Sequence, residues 1–346
     1  DLDFVRQQFP AFGEPSLQGQ AFFENAGGSY TCTQVIDRLS HYYRATKVQP
    51  YGVYDASRIA GEAMDASLAR LASYLGVSAD EVHLGPSTSQ NTYVLAQALA
   101  NNWQPGDEII VTNQDHEANG GAWRKLADQG IRVREWQVDA STGSLATHDL
   151  TRLLNSKTRM VAFPHCSNIV AEINPVAQWS ELIHQAGALA VVDGVSAAGH
   201  GFLDIAALGA DIYLFSLYKT FGPHQGLMVV RNTIEDQLTN QSHYFNAQAQ
   251  SKKFIPAGPD HAQVAAAQGV IDYFDALYDH HQLSGSRQRS VANLIHSAEQ
   301  PLLAELLGWL KQRDGVRIVG PDNASLRAAT VSVVSDKITP QRLAKG

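Results

Sequence analysis

Four apolar, β-rich runs are each followed by polar side chains that could do chemistry. His116 follows "EIIVT", His165 and Asn168 follow "RMVAF", Asp193 and Ser196 follow "ALAVV", and Ser216, Tyr218 and Lys219 follow "DIYLF". A lysine in such a place can condense with an aldehyde, because partial burial lowers its pKa and frees the amine. An aspartate can keep a heteroaromatic nitrogen protonated, an imidazole can lie against a ring and carry a proton, and an asparagine N–H can bond a phenolic oxygen. Ahead of these runs, "GPSTSQ" sets Ser87, Thr88 and Ser89 at the start of a helix-like stretch, where free amide N–H groups and the helix dipole favour phosphate. The set fits pyridoxal 5'-phosphate, with Lys219, Asp193 and His116 as candidate catalytic residues. Metal ligation is not expected.

Each residue also has an ordinary reading. Asp193 before a glycine is compatible with an Asx turn, His116 with a plain loop histidine, and Thr88 and Ser89 with helix capping alone. "GPSTSQ" is not followed by Gly-Lys-Ser/Thr, so it is no P-loop, and the chain has no Gly-x-Gly-x-x-Gly fingerprint. His165 and Cys166 are equally compatible with pocket lining and core filling. Arg58 is a candidate for a substrate carboxylate or a surface charge, and "DHH" at 279–281 reads as a solvated helix face.

The runs that carry these residues alternate with amphipathic stretches between about residues 80 and 230, the pattern of a mainly parallel sheet with helices on both faces. In such sheets ligands sit outside the carboxyl ends of the strands, which puts the candidate residues on one rim. "IRVREWQV" and "GLMVV" complete the strand series, while "VAQWSELIHQAG" reads as a helix closed by glycine. "VANLIHSAEQPLLAELLGWLKQRDG" is helical with an internal proline, and "VRIVGP" and "ATVSVVS" read as strands of a smaller C-terminal α+β unit. The expected division is a large cofactor-binding α/β domain over 16–265 and a small domain formed by 1–15 with 266–346. A net charge of −8 gives no nucleic-acid footprint, two distant cysteines give neither a disulfide framework nor zinc spacing, and no apolar run approaches a membrane span. A cytoplasmic enzyme is expected.

The segments "FPAFGE", "FFENAGGSYTCTQVIDRL", "TSQNTYVLA", "DHEANGGAW", "HCSNIVAEINPVAQW", "VVDGVSAAGH" and "DIYLFSLYKTFGPHQGLMVV" resemble, in order, the class V aminotransferase family of pyridoxal-phosphate enzymes, above all its cysteine desulfurase and selenocysteine lyase branch. The resemblance implies an aspartate-aminotransferase-like fold and makes Lys219 the Schiff-base lysine, Asp193 the pyridinium partner and His116 the ring-stacking histidine. It further implies that Asn168 contacts the phenolic oxygen, that Thr88, Ser89 and Ser216 bind phosphate, and that Ser196 and Tyr218 belong to the cofactor site. It also implies a homodimer with sites at the subunit interface, "IPAGPDHAQ" being the segment that reaches the neighbouring site. The sequence departs from the branch where Ser196 replaces a glutamine, Tyr218 a histidine and Pro259 a threonine. The branch's nucleophilic cysteine and carboxylate-binding arginine belong to a region beyond "QRLAKG", and neither Cys32 nor Cys166 matches the nucleophile's position.

The leading expectation is therefore a pyridoxal-phosphate enzyme acting on a small amino acid, cysteine desulfurase-like, with transamination and epimerisation open. A nicotinamide-dependent dehydrogenase shares the doubly wound pattern but lacks its glycine fingerprint and leaves Lys219 without a role. A non-catalytic cofactor-binding module is the alternative outside enzymes.

Overall fold

The computed structural model describes residues 1–345. Seven strands form the central sheet: β1 (Val82–Gly85), β2 (Glu108–Thr112), β3 (Arg132–Trp136), β4 (Thr158–Pro164), β5 (Leu189–Asp193), β6 (Ile212–Ser216) and β7 (Gly226–Val230). Their order is β1-β7-β6-β5-β4-β2-β3. The pairs among β2 to β6 and the β2–β3 pair are parallel, whereas β7 runs antiparallel to both neighbours, β6 and β1. The mostly parallel sheet expected from the alternating runs is what the chain forms. The sequence pattern passed over β1, whose four residues "VHLG" give too short a run to register.

Side chains alternate across the sheet with the period of two that extended backbone imposes. Ile110, Val161, Phe163, Val192, Phe215 and Val229 enter one core, with Val35, Leu71, Leu75, Trp179 and Phe274 from helices 33–45, 55–75, 176–185 and 269–280. Ile109, Val111, Met160, Val191, Leu214 and Met228 enter the other, beneath Leu95, Leu99 and Trp123 of helices 88–100 and 117–124. Because both faces are covered, β4 to β7 read as nearly unbroken apolar runs with no polar alternation.

Toward the C-terminus, helix Arg287–Lys311 passes through Pro301 without ending. A proline there removes one helical hydrogen bond and costs about 3 kcal/mol. Burial of Leu303 and Leu307 against Ala324, Ile318 and Val331 offsets it. The last two strands, β8 (Val316–Val319) and β9 (Ser332–Ser335), pair antiparallel as a separate two-stranded sheet.

Candidate active site

Strands β1, β2, β4, β5 and β6 point the same way, so their carboxyl ends share one rim, and a cavity opens there. All nine residues expected at the cofactor site line it: Thr88, Ser89, His116, Asn168, Asp193, Ser196, Ser216, Tyr218 and Lys219. Lys219 and Asp193 therefore open into the same space. Ser87, Asp115 and Cys166 join them.

The hydroxyl corner is built from three chain segments. Ser87 caps helix Thr88–Ala100 by accepting from the Gln90 amide at 3.2 Å. Thr88 and Ser89 then occupy its first turn, where amide N–H groups lack helical acceptors. Thr88 Oγ1 and Ser216 Oγ lie 2.7 Å apart, both buried, so two strand ends contribute hydroxyls to one spot. The approach depends on Gly226, which pairs with Gly85 on one side and Ser216 on the other. A Cβ at Gly226 would lie 2.3 Å from the Ser87 carbonyl carbon and 2.4 Å from the Thr88 nitrogen, and neither is a flexible group that can move aside. Gly226→Ala is expected to push the corner outward, destabilising the protein by about 1–3 kcal/mol in a urea titration. It should also weaken pyridoxal-phosphate binding by roughly tenfold in a fluorescence titration.

Asp193 closes β5 and is buried. Its Oδ1 accepts the Val195 amide at 2.8 Å, and its carbonyl accepts the His165 amide at 2.7 Å. The following residue must be glycine, because a Cβ at Gly194 would fall 2.0 Å from the Tyr213 ring. Burial pushes the Asp193 carboxyl up to about 6, opposed by the Val195 amide and the charge of Lys219. Lys219 lies in a short 3₁₀ turn just beyond β6, its Nζ 5.8 Å from the centroid of the Tyr218 ring. Burial lowers its amine, against the opposing charges of Asp193 and Glu24.

His116 caps helix Glu117–Arg124, its Nδ1 accepting the Ala118 amide at 3.0 Å. An accepting Nδ1 places the proton of the neutral ring on Nε2. Burial, then the charge of Lys219, lowers the His116 pKa and keeps that neutral form. Asp115 was missed by sequence reasoning, although it stands in the same loop and the rule that found His116 would have found it. Its carboxyl accepts from the His116 amide at 2.9 Å and from Asn119 Nδ2 at 2.7 Å, and Asn119 in turn accepts from Trp123 Nε1. Burial raises its pKa well above the carboxylate range, and the charge of Asp193 adds to the effect.

Other candidates fall elsewhere. His165 does not line the cavity; it is bonded through Nδ1 to Tyr213 Oη at 2.9 Å and kept neutral by burial, with its pKa lowered to about 4. Cys166 reaches the cavity, but its residue surface is buried and burial pushes the thiol up to about 12. Cys32 is likewise buried, its thiol pushed up to about 11. Arg58 is committed to Glu62 and Asp55 on the exposed face of helix 55–75. In the "DHH" stretch, His280 contacts Asp1 and stacks on Phe4, and no metal-holding cluster occurs among the described residues.

The geometry can be set beside known proteins. The profile of the family described as Aminotransferase class-V matches residues 21–345. The chain belongs to this family. The class-V chain is 32% identical to the Aminotransferase-like protein FGM3 of Gibberella zeae, over 98% of its own length and 83% of that protein's. It is 31% identical to a cysteine desulfurase of Yersinia pseudotuberculosis, over 92% of its length and 80% of the relative's. Its fold superposes on the apo cysteine desulfurase of Thermococcus onnurineus with a TM-score of 0.81 at 22% identity, covering 99% of this chain and 84% of that one. The protein is thus a pyridoxal-phosphate-dependent enzyme with a cysteine desulfurase-like fold.

The residues present fit that cofactor. Two hydroxyls and a helix N-terminus form an anion corner, and a buried carboxyl with a raised pKa calls for a cation. The cation of a protonated pyridine ring answers that need, and an amine with lowered basicity stands ready for an aldehyde.

Proposed function

We propose that Lys219 holds the cofactor aldehyde and that the enzyme acts at the α- or β-carbon of a small amino acid, in the manner of the cysteine desulfurase-like branch. The observation that carries this reading is the convergence of Lys219, Asp193, His116 and the Thr88–Ser216 hydroxyl pair on one cavity. In it Thr88, Ser89 and Ser216 hold the phosphate, Asp193 faces the pyridine nitrogen, and His116 lies against the ring. Asn168 donates to the phenolic oxygen, and Ser196 and Tyr218 form the walls. When bound, pyridoxal phosphate supplies an electron sink for bonds at the substrate's α-carbon.

The chain's own residues manage the protons. The Lys219 amine, lowered by burial, is uncharged at a pH where an exposed lysine is not, so Nζ can take a proton at the α-carbon. His116, with Nδ1 occupied by the Ala118 amide, offers a single polar edge at Nε2. Asp193 remains acceptor-only while it faces a cation.

A second reading is transamination or epimerisation. Sulfur transfer through a protein thiol requires a thiolate, and burial holds both Cys32 and Cys166 as thiols, so neither of these two serves as that nucleophile. Proton transfer at the α-carbon requires neither, and one relative carries an aminotransferase-like name. The two readings separate on incubation with L-cysteine, L-alanine and 2-oxo acids. Sulfide from L-cysteine supports desulfuration. Its absence, with exchange of amino groups or loss of chirality, supports the second reading, and no change in any of these refutes both.

The same reading includes a homodimer. Phe23, Val53, Tyr244 and Phe245 are 92%, 105%, 100% and 85% exposed, large apolar side chains of the kind a second copy would cover. Sedimentation equilibrium at twice the chain mass is the expected result.

A further inference from the structure

The turn that presents Lys219 is tied to the N-terminal loop by one residue without a role so far. Ser29 donates to the Tyr218 carbonyl from its backbone amide at 2.9 Å and from its hydroxyl at 3.0 Å. The same hydroxyl accepts the Phe221 amide at 2.7 Å. Ser29 thus grips the residue before Lys219 and the residue two after it. Phe221 needs that grip, because its φ of 67° lies in the left-handed region that a side chain disfavours. Its carbonyl accepts the Cys32 amide at 3.1 Å, and its ring packs on Phe9 and Tyr273 at centroid distances of 5.4 and 5.5 Å. Contacts on both sides of the peptide hold the strained conformation. Within the turn, the Thr220 and Gly222 amides both donate to the Leu217 carbonyl, so the loop is closed on itself and then latched to Ser29.

We propose that the Ser29 hydroxyl is a positioning latch for Lys219, holding the amine in its partly desolvated place in the cavity. The proposal rests on Lys219 being the attachment residue. Without the hydroxyl, the Phe221 amide loses its acceptor and the Tyr218 carbonyl one of two donors, and the strained turn is free to relax toward water. The amine would then regain hydration and basicity. The groups whose charge reaches it, Asp193 at the end of β5, Glu24 in the N-terminal loop and His116 at the helix cap, are unchanged by substitution at Ser29.

The test uses the full chain stripped of cofactor and mixed with a fixed concentration of pyridoxal phosphate across a pH series. Borohydride reduction follows, and mass spectrometry measures the fraction of Lys219 carrying the reduced cofactor. For Ser29→Ala the pH of half-trapping is expected to rise by about one unit, a tenfold smaller share of uncharged amine at a given pH. Ser29→Thr, which keeps the hydroxyl, should restore the original midpoint. A midpoint in Ser29→Ala that coincides with the unmodified protein overturns the latch, as does an equal shift in Ser29→Thr. Label on another lysine instead removes the attachment reading, and the latch falls with it.

Discussion

Replacing Lys219 with alanine is expected to abolish the visible absorbance band of the loaded protein and the borohydride-stable adduct, and to lower turnover by roughly 10²–10⁴-fold. The reason lies in what an amine in this turn can do and its neighbours cannot. Burial weakens its basicity, while Asp193 and Glu24 keep it from becoming an ordinary hydrophobic-pocket lysine. The methyl of alanine leaves the turn's backbone bonds to Ser29 and Leu217 in place, so the fold should persist. Lys219→Arg provides the control for charge: it keeps the cation but cannot lose its proton or form the attachment. Both variants should lose the adduct equally. Retention of the adduct in either, measured by intact mass after reduction, contradicts the assignment.

The second large effect is expected at Asp193. Asp193→Asn preserves the shape of the side chain and its bond to the Val195 amide, but removes the negative charge. The adduct on Lys219 should survive, because attachment requires the amine alone. Turnover should fall by roughly 10²–10³-fold, since a neutral amide no longer stabilises charge in the ring during the reaction. Unchanged turnover would show that this carboxylate does not face the cofactor nitrogen. The pH dependence of the unloaded protein offers an independent check. A carboxyl held at about 6 in the folded state, against a usual value of 3.8, binds its proton more tightly when folded. Its contribution to stability is complete below the unfolded value and is lost as pH rises through about 6. Urea midpoints of the unloaded protein should therefore fall across that window, and Asp193→Asn should flatten part of the fall. The remainder belongs to Asp115, whose carboxyl is raised in the same pocket.

The apolar runs were enough to place β2 and β4 to β7, because burial on both faces leaves long unbroken apolar stretches. β3, at the sheet edge, was placed by its run after a glycine. The rule that ligands gather beyond strand ends then collected His116, Asn168, Asp193, Ser216 and Lys219, and the cavity contains all of them. β1 escaped because four residues ending in Gly85 resemble a turn; what makes it a strand is its pairing with β7, residues 226–230, far along the chain. Asp115 stood within reach of the same rule, beside His116 in the loop after β2. An aspartate in a loop is unremarkable until its carboxyl is seen to share a pocket with Asp193. Ser29 is silent in sequence, since its three bonds reach residues about 190 positions away. The protonation states of Cys32 and Cys166 depended on burial, which composition does not reveal.

One measurement bears most directly on the central claim. The unmodified protein, loaded with pyridoxal phosphate and reduced with borohydride, should yield after digestion a single modified peptide, with the added mass on Lys219. A modified peptide centred on any other lysine, or a loaded protein that yields none, would contradict the account.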